Sequence, residues 1–266
     1  EDVKDLSVYV KFKVKNPEKI GLKGDVYLLA WTTTPWTLPG NVGLAVGEKI
    51  EYVEVKSKRK DQSSKVDSED EETIILAKER LESLKSKGEF EEVTGKSWKG
   101  KDLIGLEYEP LYSFIVDNIS GAEKEKLQNA YKVYPADFVT TTDGTGIVHT
   151  AVMYGQDDFE LGTKVGLPKY HLVNEDGTFK PETGYLAGAF VKDPATDVAI
   201  IKDLAGRGSL FAKEKYEHSY PHCWRCHTSL IYYARDSWYI AMSKLRDKLV
   251  EENKDIHWEP EHIKEG

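Results

Sequence analysis

Short strand-like runs, separated by glycine, proline or aspartate, recur along much of the chain and restrict what it can fold into. In residues 7–14 (SVYVKFKV), apolar and polar side chains alternate as in a half-buried strand. Similar runs follow at short spacing, for example at 25–34, 41–46 and 51–57. Many short strands favour a barrel over alternating strand–helix units. We therefore expect an α+β protein that is mainly β, a β-barrel-like domain with a few surrounding helices.

Helix signals are fewer. Residues 157–166 begin with two acids and end in glycine, and residues 193–208 have proline near the start and glycine at the end, both of which are typical of helices. From about residue 215 the sequence becomes rich in Tyr, Trp and His and then resembles an amphipathic helix. We predict a domain at 1–214 and a C-terminal connecting segment at 215–266.

Composition narrows the function classes. A formal charge of −9 argues against nucleic-acid binding over the whole surface, although a local basic groove remains compatible with it. No apolar run approaches the ~20 residues of a membrane span, and the presence of only two cysteines fits a reducing cytoplasm.

The charged, Ser-rich stretch 58–72 predicts a mobile surface loop. The first residues, EDVKDL, and the last, HIKEG, indicate a piece of a longer chain.

The string WTTTPWTLPGN at 31–41 places three threonines at the end of a predicted strand. Strand geometry directs Thr32 and Thr34 to one side and Thr33 to the other. Pro35 ends the strand, because it lacks an N–H and restricts the residue before it. Threonine runs are common in strands, but the complete string is less generic. It predicts hydroxyl groups available at a strand end, where small ligands often bind.

Two further strings carry titratable groups. DGTGIVH contains two glycines, Gly144 and Gly146, which permit positive φ or close backbone approach, followed by His149. A lone strand histidine is more often a packing residue than a catalyst, but its pKa suits proton transfer. In GQDDF, Asp157 and Asp158 lie at a predicted helix start, where acids usually cap. Adjacent helical side chains diverge by about 100°, so one of the two can face a pocket.

The string HCWRCH contains the only two cysteines, Cys223 and Cys226. A C-x-x-C pair is half of a four-ligand zinc site. Both flanking histidines could ligate, but the chain has no second cysteine pair. The economical interpretation is half of a metal site.

Taken together and in this order, WTTTPWTLPGN, GTGIVH, GQDDF and SYPHCWRC resemble the editing domain of the isoleucyl-tRNA synthetase family. The resemblance extends over nearly the whole chain. Thr34 stands where valyl and leucyl relatives carry arginine, and His149 stands where valyl enzymes tend to have lysine. Neither signature motif of the aminoacylation core is present.

This resemblance implies hydrolysis of valine wrongly attached to isoleucine tRNA, and of valyl-adenylate, by a positioned water. One methylene gives only ~1–3 kcal/mol of discrimination, a limit for which isoleucyl enzymes are the standard example and which editing overcomes. By position in the motifs, Asp158 holds the α-ammonium group of the substrate. Thr32, Thr33 and Thr34 contact the aminoacyl group, the terminal adenosine and the water, and His149 lines the side-chain pocket.

The same resemblance implies a polar pocket role for Asn41, secondary substrate-binding roles for Trp36 and Asp157, and half of a zinc site at Cys223 and Cys226. Editing then needs no cofactor, and ATP and zinc are expected only in a full-length cytoplasmic enzyme. The implied partners are the tRNA(Ile) acceptor end, a valine ester or valyl-adenylate and the remainder of the synthetase, without a membrane. Two alternatives remain: a valyl-type editing domain that clears threonine, and a non-catalytic module that binds the tRNA acceptor end.

Overall fold

In a computed structural model of the chain, residues 1–58, 71–87 and 90–265 are described. The loop predicted at 58–72 lies for the most part outside them. No helix among the described residues combines the length and apolar character that crossing a membrane requires.

The described residues form strands and α-helices in the following order, with short 3-10 helices between them. The strands are β1 (Asp2–Lys13), β2 (Val26–Thr32), β3 (Gly43–Val46), β4 (Glu51–Lys58), β5 (Glu71–Ala77), β6 (Phe90–Lys99), β7 (Lys132–Pro135), β8 (Ile147–Thr150) and β9 (Leu210–Ser219). The α-helices are α1 (Leu81–Leu84), α2 (Gly100–Leu103), α3 (Phe114–Asn118), α4 (Gly121–Glu125), α5 (Gln156–Val165), α6 (Pro194–Gly206) and α7 (Met242–Asn253). The 3-10 helices are Pro17–Ile20, Pro35–Gly40, Lys78–Arg80, Lys126–Asn129, Pro181–Leu186 and Glu261–Glu265.

Two sheets organise these elements. The larger has the order β6-β4-β5-β2-β1-β9, and the smaller has the order β7-β3-β8. All pairs are antiparallel except β2–β5 and β3–β7. The strand-rich α+β class is therefore confirmed, but the barrel-like closure is not: within the described residues, neither sheet closes on itself.

Local sequence explains the elements that position the site. In β1, Val8, Val10 and Phe12 face the main core, while Tyr9 packs in a second cluster on the opposite face of the sheet. The start of α6 is capped by Asp193, whose carboxylate accepts a hydrogen bond from the N–H of Ala195 at 2.8 Å. The helix predicted at 157–166 is confirmed as α5.

One large core joins the elements of both sheets. It contains residues of β1 and β2, of the small sheet (Leu44, Val133 and Ile147) and of α6 (Ile200 and Leu204). The two sheets meet where β2 packs against β8. This contact brings the end of the threonine-bearing strand towards the histidine-bearing strand.

By its internal contacts the chain divides into two compact units, residues 1–234 and 235–266. The predicted boundary at 214/215 lies within β9, which pairs with β1 along most of its length. The second unit contains α7, and its Trp258 donates a hydrogen bond from Nε1 to Asn253 at 2.8 Å. The assignment of 1–214 to editing and of 215–266 to a return segment stays a prediction.

Candidate functional site

The threonines at the end of β2 form a connected hydroxyl cluster. Strand β2 ends at Thr32, and a fully buried 3-10 helix, Pro35–Gly40, begins three residues later. The hydroxyl oxygens of Thr32 and Thr34 lie 3.2 Å apart, and the N–H of Thr34 donates to the Thr32 hydroxyl at 3.1 Å. The predicted shared orientation of these two side chains is therefore observed. Thr33 is partly exposed, and no hydrogen bond of its hydroxyl occurs among the described residues.

Thr37 extends this cluster and was missed by the sequence analysis. Its hydroxyl donates to the backbone oxygen of Thr34 at 2.8 Å and lies 3.4 Å from the Thr34 hydroxyl. It also lies 3.1 Å from Nε2 of His149, 112 residues away in sequence. The spacing could have suggested the first contact, because residues three apart are eclipsed in a 3-10 helix. The contact with His149 is tertiary and has no local signal.

The backbone of β8 and the preceding turn place His149 against this cluster. Strand register pairs His149 with Leu44 of β3. Gly144 and Gly146 have φ of 68° and 74°, and a Cβ at Gly146 would lie 2.4 Å from Cβ of Ala77. The prediction that these two glycines permit positive φ or close backbone approach is thus confirmed, and an L-residue at either position would be both strained and too close to its neighbours.

His149 is buried and neutral at physiological pH. Burial lowers the pKa of its imidazole to about 4, because the charged form loses solvation. The single hydroxyl proton of Thr37 is directed to the Thr34 carbonyl, so Nε2 of the neutral ring donates to Thr37. In that tautomer Nδ1 is an acceptor, and it is buried without a hydrogen-bond partner among the residues that the structure describes. His149 is therefore a neutral polar group, unsuited to act as a cation.

Asp158, at the start of α5, is a second candidate site residue. Its carboxylate accepts a hydrogen bond from the N–H of Ala151 at 3.3 Å. Burial raises the pKa of this carboxyl to about 7, the Ala151 N–H opposes the rise, and the negative charge of Asp157 adds to it. Asp158 is partly buried whereas Asp157 is exposed, so the two side chains diverge as predicted. A carboxyl with a pKa near 7 is typical of sites that bind or exchange charge.

The threonine–His149 cluster and Asp158 are connected through the backbone of β8, and no direct hydrogen bond joins them in the described part of the chain. Ala151, the partner of Asp158, lies two residues after His149. Among the described residues, no hydrogen bond joins Asp158 to the threonine cluster. Both acids instead line an open cavity of about 380 Å³ with Phe138, Val148 and Tyr232. An acidic cavity of this kind can accept a cationic group.

Asn41 and Trp36, both predicted to bind substrate, make contacts with other residues of the fold. Asn41 is buried, donates through Nδ2 to the Gly43 oxygen at 2.9 Å and accepts from the Tyr108 hydroxyl at 2.7 Å. Trp36 is buried and packs edge-on against Tyr154, with ring centroids 5.2 Å apart. Their contacts anchor the 3-10 helix, and their predicted substrate-binding roles stay predictions.

The cysteine pair offers part of a metal site. Cys223 and Cys226 are both free thiols. Among the described residues, no third histidine, cysteine or acid completes a metal-binding group with them. His222 contacts Tyr220 and Ser229, and His227 lies 2.6 Å from the Glu1 carboxylate. A hydrogen bond with Thr228 lowers the pKa of Cys226. These residues fit half of a zinc site and not a complete one.

Comparison with known proteins decides the family. The model of the class I tRNA synthetases (I, L, M and V) matches residues 18–266. The chain belongs to this family. It is 46% identical over 266 residues to the isoleucine–tRNA ligase of Clostridium acetobutylicum, covering 100% of this chain and 22% of that protein. It is 41% identical over 264 residues to that of Bacillus thuringiensis, covering 99% and 22%. The chain thus spans about a fifth of the length of these relatives.

The fold resembles that of editing domains in solved synthetase structures. The cytosolic leucyl-tRNA synthetase editing domain of P. knowlesi aligns with a TM-score of 0.59 at 12% identity, covering 79% of this chain and 96% of that one. The resemblance to isoleucyl editing domains inferred from the motifs is confirmed at the level of family and fold.

Proposed function

We propose that this chain is the editing part of an isoleucine–tRNA ligase, which hydrolyses valine wrongly esterified to tRNA(Ile), and valyl-adenylate. The observation that carries the proposal is the continuous polar cluster from Thr32 through Thr34 and Thr37 to neutral His149. It lies at the end of β2, in a chain of this family with an editing-domain fold. Similarity to isoleucine–tRNA ligases favours valine over threonine, the substrate expected of a valyl-type domain.

The chemistry needs orientation more than a strong nucleophile. An aminoacyl ester carries an α-ammonium group, and the Asp158 carboxylate is the acid suited to bind it. Binding of a cation stabilises the ionised form of Asp158, which burial alone disfavours. The hydroxyls of Thr32 and Thr34 can then hold the ester and an attacking water, which positioning and local dipoles activate. His149, neutral and buried, limits the volume left for the amino-acid side chain.

Further partners follow from the same proposal. The acceptor end of tRNA(Ile) supplies the ester, and the rest of a longer synthetase supplies ATP-dependent aminoacylation in the cytoplasm. Editing itself requires no cofactor. Cys223 and Cys226 would bind zinc only if another segment contributed the missing ligands.

The test is deacylation of valyl-tRNA(Ile) by the wild-type protein and by Asp158→Ala. Glu160→Ala is the matched control, because Glu160 is an exposed acid on the same helix whose hydrogen bond is with Gln156. We expect rapid hydrolysis by the wild type and by the control, and loss of about 100-fold or more in Asp158→Ala. Isoleucyl-tRNA(Ile) should survive with all three proteins.

Two results would contradict the proposal. Background rates for the wild type, with retained tRNA binding, would identify a non-catalytic module for the acceptor end. Faster hydrolysis of threonyl-tRNA than of valyl-tRNA would identify a valyl-type domain.

A further inference from the structure

The backbone of residues 231–234 is bound to the strand-rich unit at Ala234. The N–H of Ala234 donates to the Met153 oxygen at 2.9 Å, and Nε2 of His171 lies 2.9 Å from the Ala234 oxygen. A carbonyl oxygen can only accept, so His171 donates this bond. Both backbone polar groups of Ala234 are thus paired with residues distant in sequence, and these bonds fix where the 231–234 segment lies.

The two neighbours of Tyr232 add to this attachment. Tyr233 stacks on the ring of His171, with centroids 4.1 Å apart and planes at 13°, and its hydroxyl donates to the Val173 oxygen at 3.2 Å. Ile231 packs against the main core. Because the residues on both sides are held by packing and hydrogen bonds, the fold sets the position of Tyr232 between them.

Tyr232 itself is exposed and lines the acidic cavity beside Asp158. The walls of this cavity also include Phe138 and Asp157. Among the described residues, the Asp158 carboxylate accepts one hydrogen bond, from the Ala151 N–H at 3.3 Å, although a carboxylate offers about four acceptor sites. The cavity therefore combines an incompletely paired carboxylate with two aromatic side chains.

A carboxylate beside aromatic rings is suited to bind an ammonium group. The carboxylate forms a charge-assisted hydrogen bond with it. The electron-rich face of a ring attracts a cation that lies within about 6 Å of the ring centroid. An uncharged ligand of the same shape would gain neither interaction, so a cavity of this composition selects for positive charge.

We propose that Tyr232 is a substrate-binding residue of the editing site, whose ring holds the α-ammonium group of the substrate against the Asp158 carboxylate. The inference rests on the proposed function for the identity of this cation. The attachments of Ile231, Tyr233 and Ala234 keep the ring at the cavity. The ring and not the hydroxyl supplies the contact, so phenylalanine should replace tyrosine at this position.

Three variants test the proposal. Tyr232→Phe keeps the ring, whereas Tyr232→Leu keeps an apolar side chain without a ring, and both remove the hydroxyl. Tyr239→Leu is the matched control, because Tyr239 is an exposed tyrosine of the second unit.

The first measurement is binding of valinamide, which carries the α-ammonium group but no ester. Binding is followed by NMR at the Ala151 amide, and the uncharged α-hydroxy analogue of valinamide is titrated in parallel. The second measurement is kcat and KM for deacylation of valyl-tRNA(Ile). Thermal unfolding shows that each variant is folded.

In Tyr232→Leu we expect valinamide binding to weaken by about 3- to 30-fold, the range of cation–π contacts from exposed to desolvated sites. KM should rise with kcat within about twofold of wild type, because the ammonium contact is the same in the bound ester and in the transition state. Tyr232→Phe and Tyr239→Leu should bind valinamide as the wild type does. The uncharged analogue should bind weakly, and equally to every variant.

Equal valinamide affinity of Tyr232→Leu and the wild type, or no binding to the wild type, would overturn the proposal. An equal loss in Tyr232→Phe and Tyr232→Leu would assign the contact to the hydroxyl and overturn the role of the ring. The titration does not depend on catalysis. A wild-type protein that binds valinamide through the ring but does not deacylate valyl-tRNA(Ile) would therefore refute the proposed function and support the cation site.

Discussion

Gly155→Ala is the most direct perturbation of the candidate site, because it moves the Asp158 carboxylate without removing it. A Cβ at Gly155 would lie 2.8 Å from Oδ2, 3.2 Å from Cγ and 3.5 Å from Cβ of Asp158. Ordinary contacts begin near 3.4 Å, so the nearest oxygen must move by at least ~0.6 Å. The bond from the Ala151 N–H is already long at 3.3 Å and should not survive the shift.

The expected effect is on catalysis and not on folding. A misplacement of about 1 Å can cost about 100-fold in rate, so we expect deacylation of valyl-tRNA(Ile) to fall by about 10- to 100-fold. Gly155 has φ of −159°, an extended conformation open to alanine, and it precedes α5 as the N-cap. Losing glycine there should change the free energy of unfolding by less than ~1 kcal/mol.

Gly206→Ala is the matched control. Gly206 is in α6, and a Cβ there meets no atom of the described part of the chain within 4 Å. The same chemical change should leave deacylation unchanged and stabilise the helix by up to about 1 kcal/mol. The assay pairs single-turnover deacylation with thermal unfolding. Wild-type activity in a folded Gly155→Ala protein would refute the reasoning. So would an additive loss in Gly155→Ala/Asp158→Ala, because displacing an absent carboxylate should have no effect.

Three more predictions concern the hydroxyl cluster, the site acid and the large sheet. Thr37→Val should lower deacylation by about tenfold or more, because it leaves the Thr34 oxygen and Nε2 of His149 unpaired, whereas Thr37→Ser should retain activity. The kcat/KM of the wild type should fall as the pH drops through about 7, because the carboxylate of Asp158 is the form that binds an ammonium group. Lys11→Met should destabilise the fold by about 3–5 kcal/mol, because the Lys11–Glu72 pair is buried, with Nζ–O distances of 2.6 and 2.7 Å.

Each of these has a control or a contradicting result. Equal activity of the Val and Ser variants at Thr37 would exclude the hydroxyl link. Asp158→Asn should abolish the titration near pH 7; a profile unchanged by this substitution would assign it to another group. Asp158→Asn also tests the effect of this group on stability. The folded pKa of Asp158 lies above the ordinary 3.8, so its ionisation lowers the free energy of unfolding as pH rises from about 4 to about 7. The Asn variant should lack this decrease. Denaturant unfolding of Lys11→Met/Glu72→Leu should show a much smaller loss than Lys11→Met alone.

Local patterns in the sequence were sufficient for much of the fold and for the family. The alternation at 7–14 falls in β1 up to Lys13 and the glycine-ended run at 157–166 corresponds to α5, because side-chain alternation and helix-end signals are patterns of neighbouring residues. The hydroxyls of Thr32 and Thr34 lie together as predicted, although β2 ends at Thr32 and the N–H of Thr34 bonds back to the Thr32 hydroxyl. The motif strings then led to the isoleucyl family, which the comparisons confirm.

Only the tertiary structure determines which of these side chains contact one another. The bond between Thr37 and His149 depends on how β2 and β8 pack, and the open arrangement of the two sheets depends on pairing across the whole chain. Burial, which lowers the pKa of His149 to about 4 and raises that of Asp158 to about 7, is likewise set by distant residues. The sequence determines which groups are present and their local backbone. Their partners and their charge depend on desolvation and packing, which are non-local.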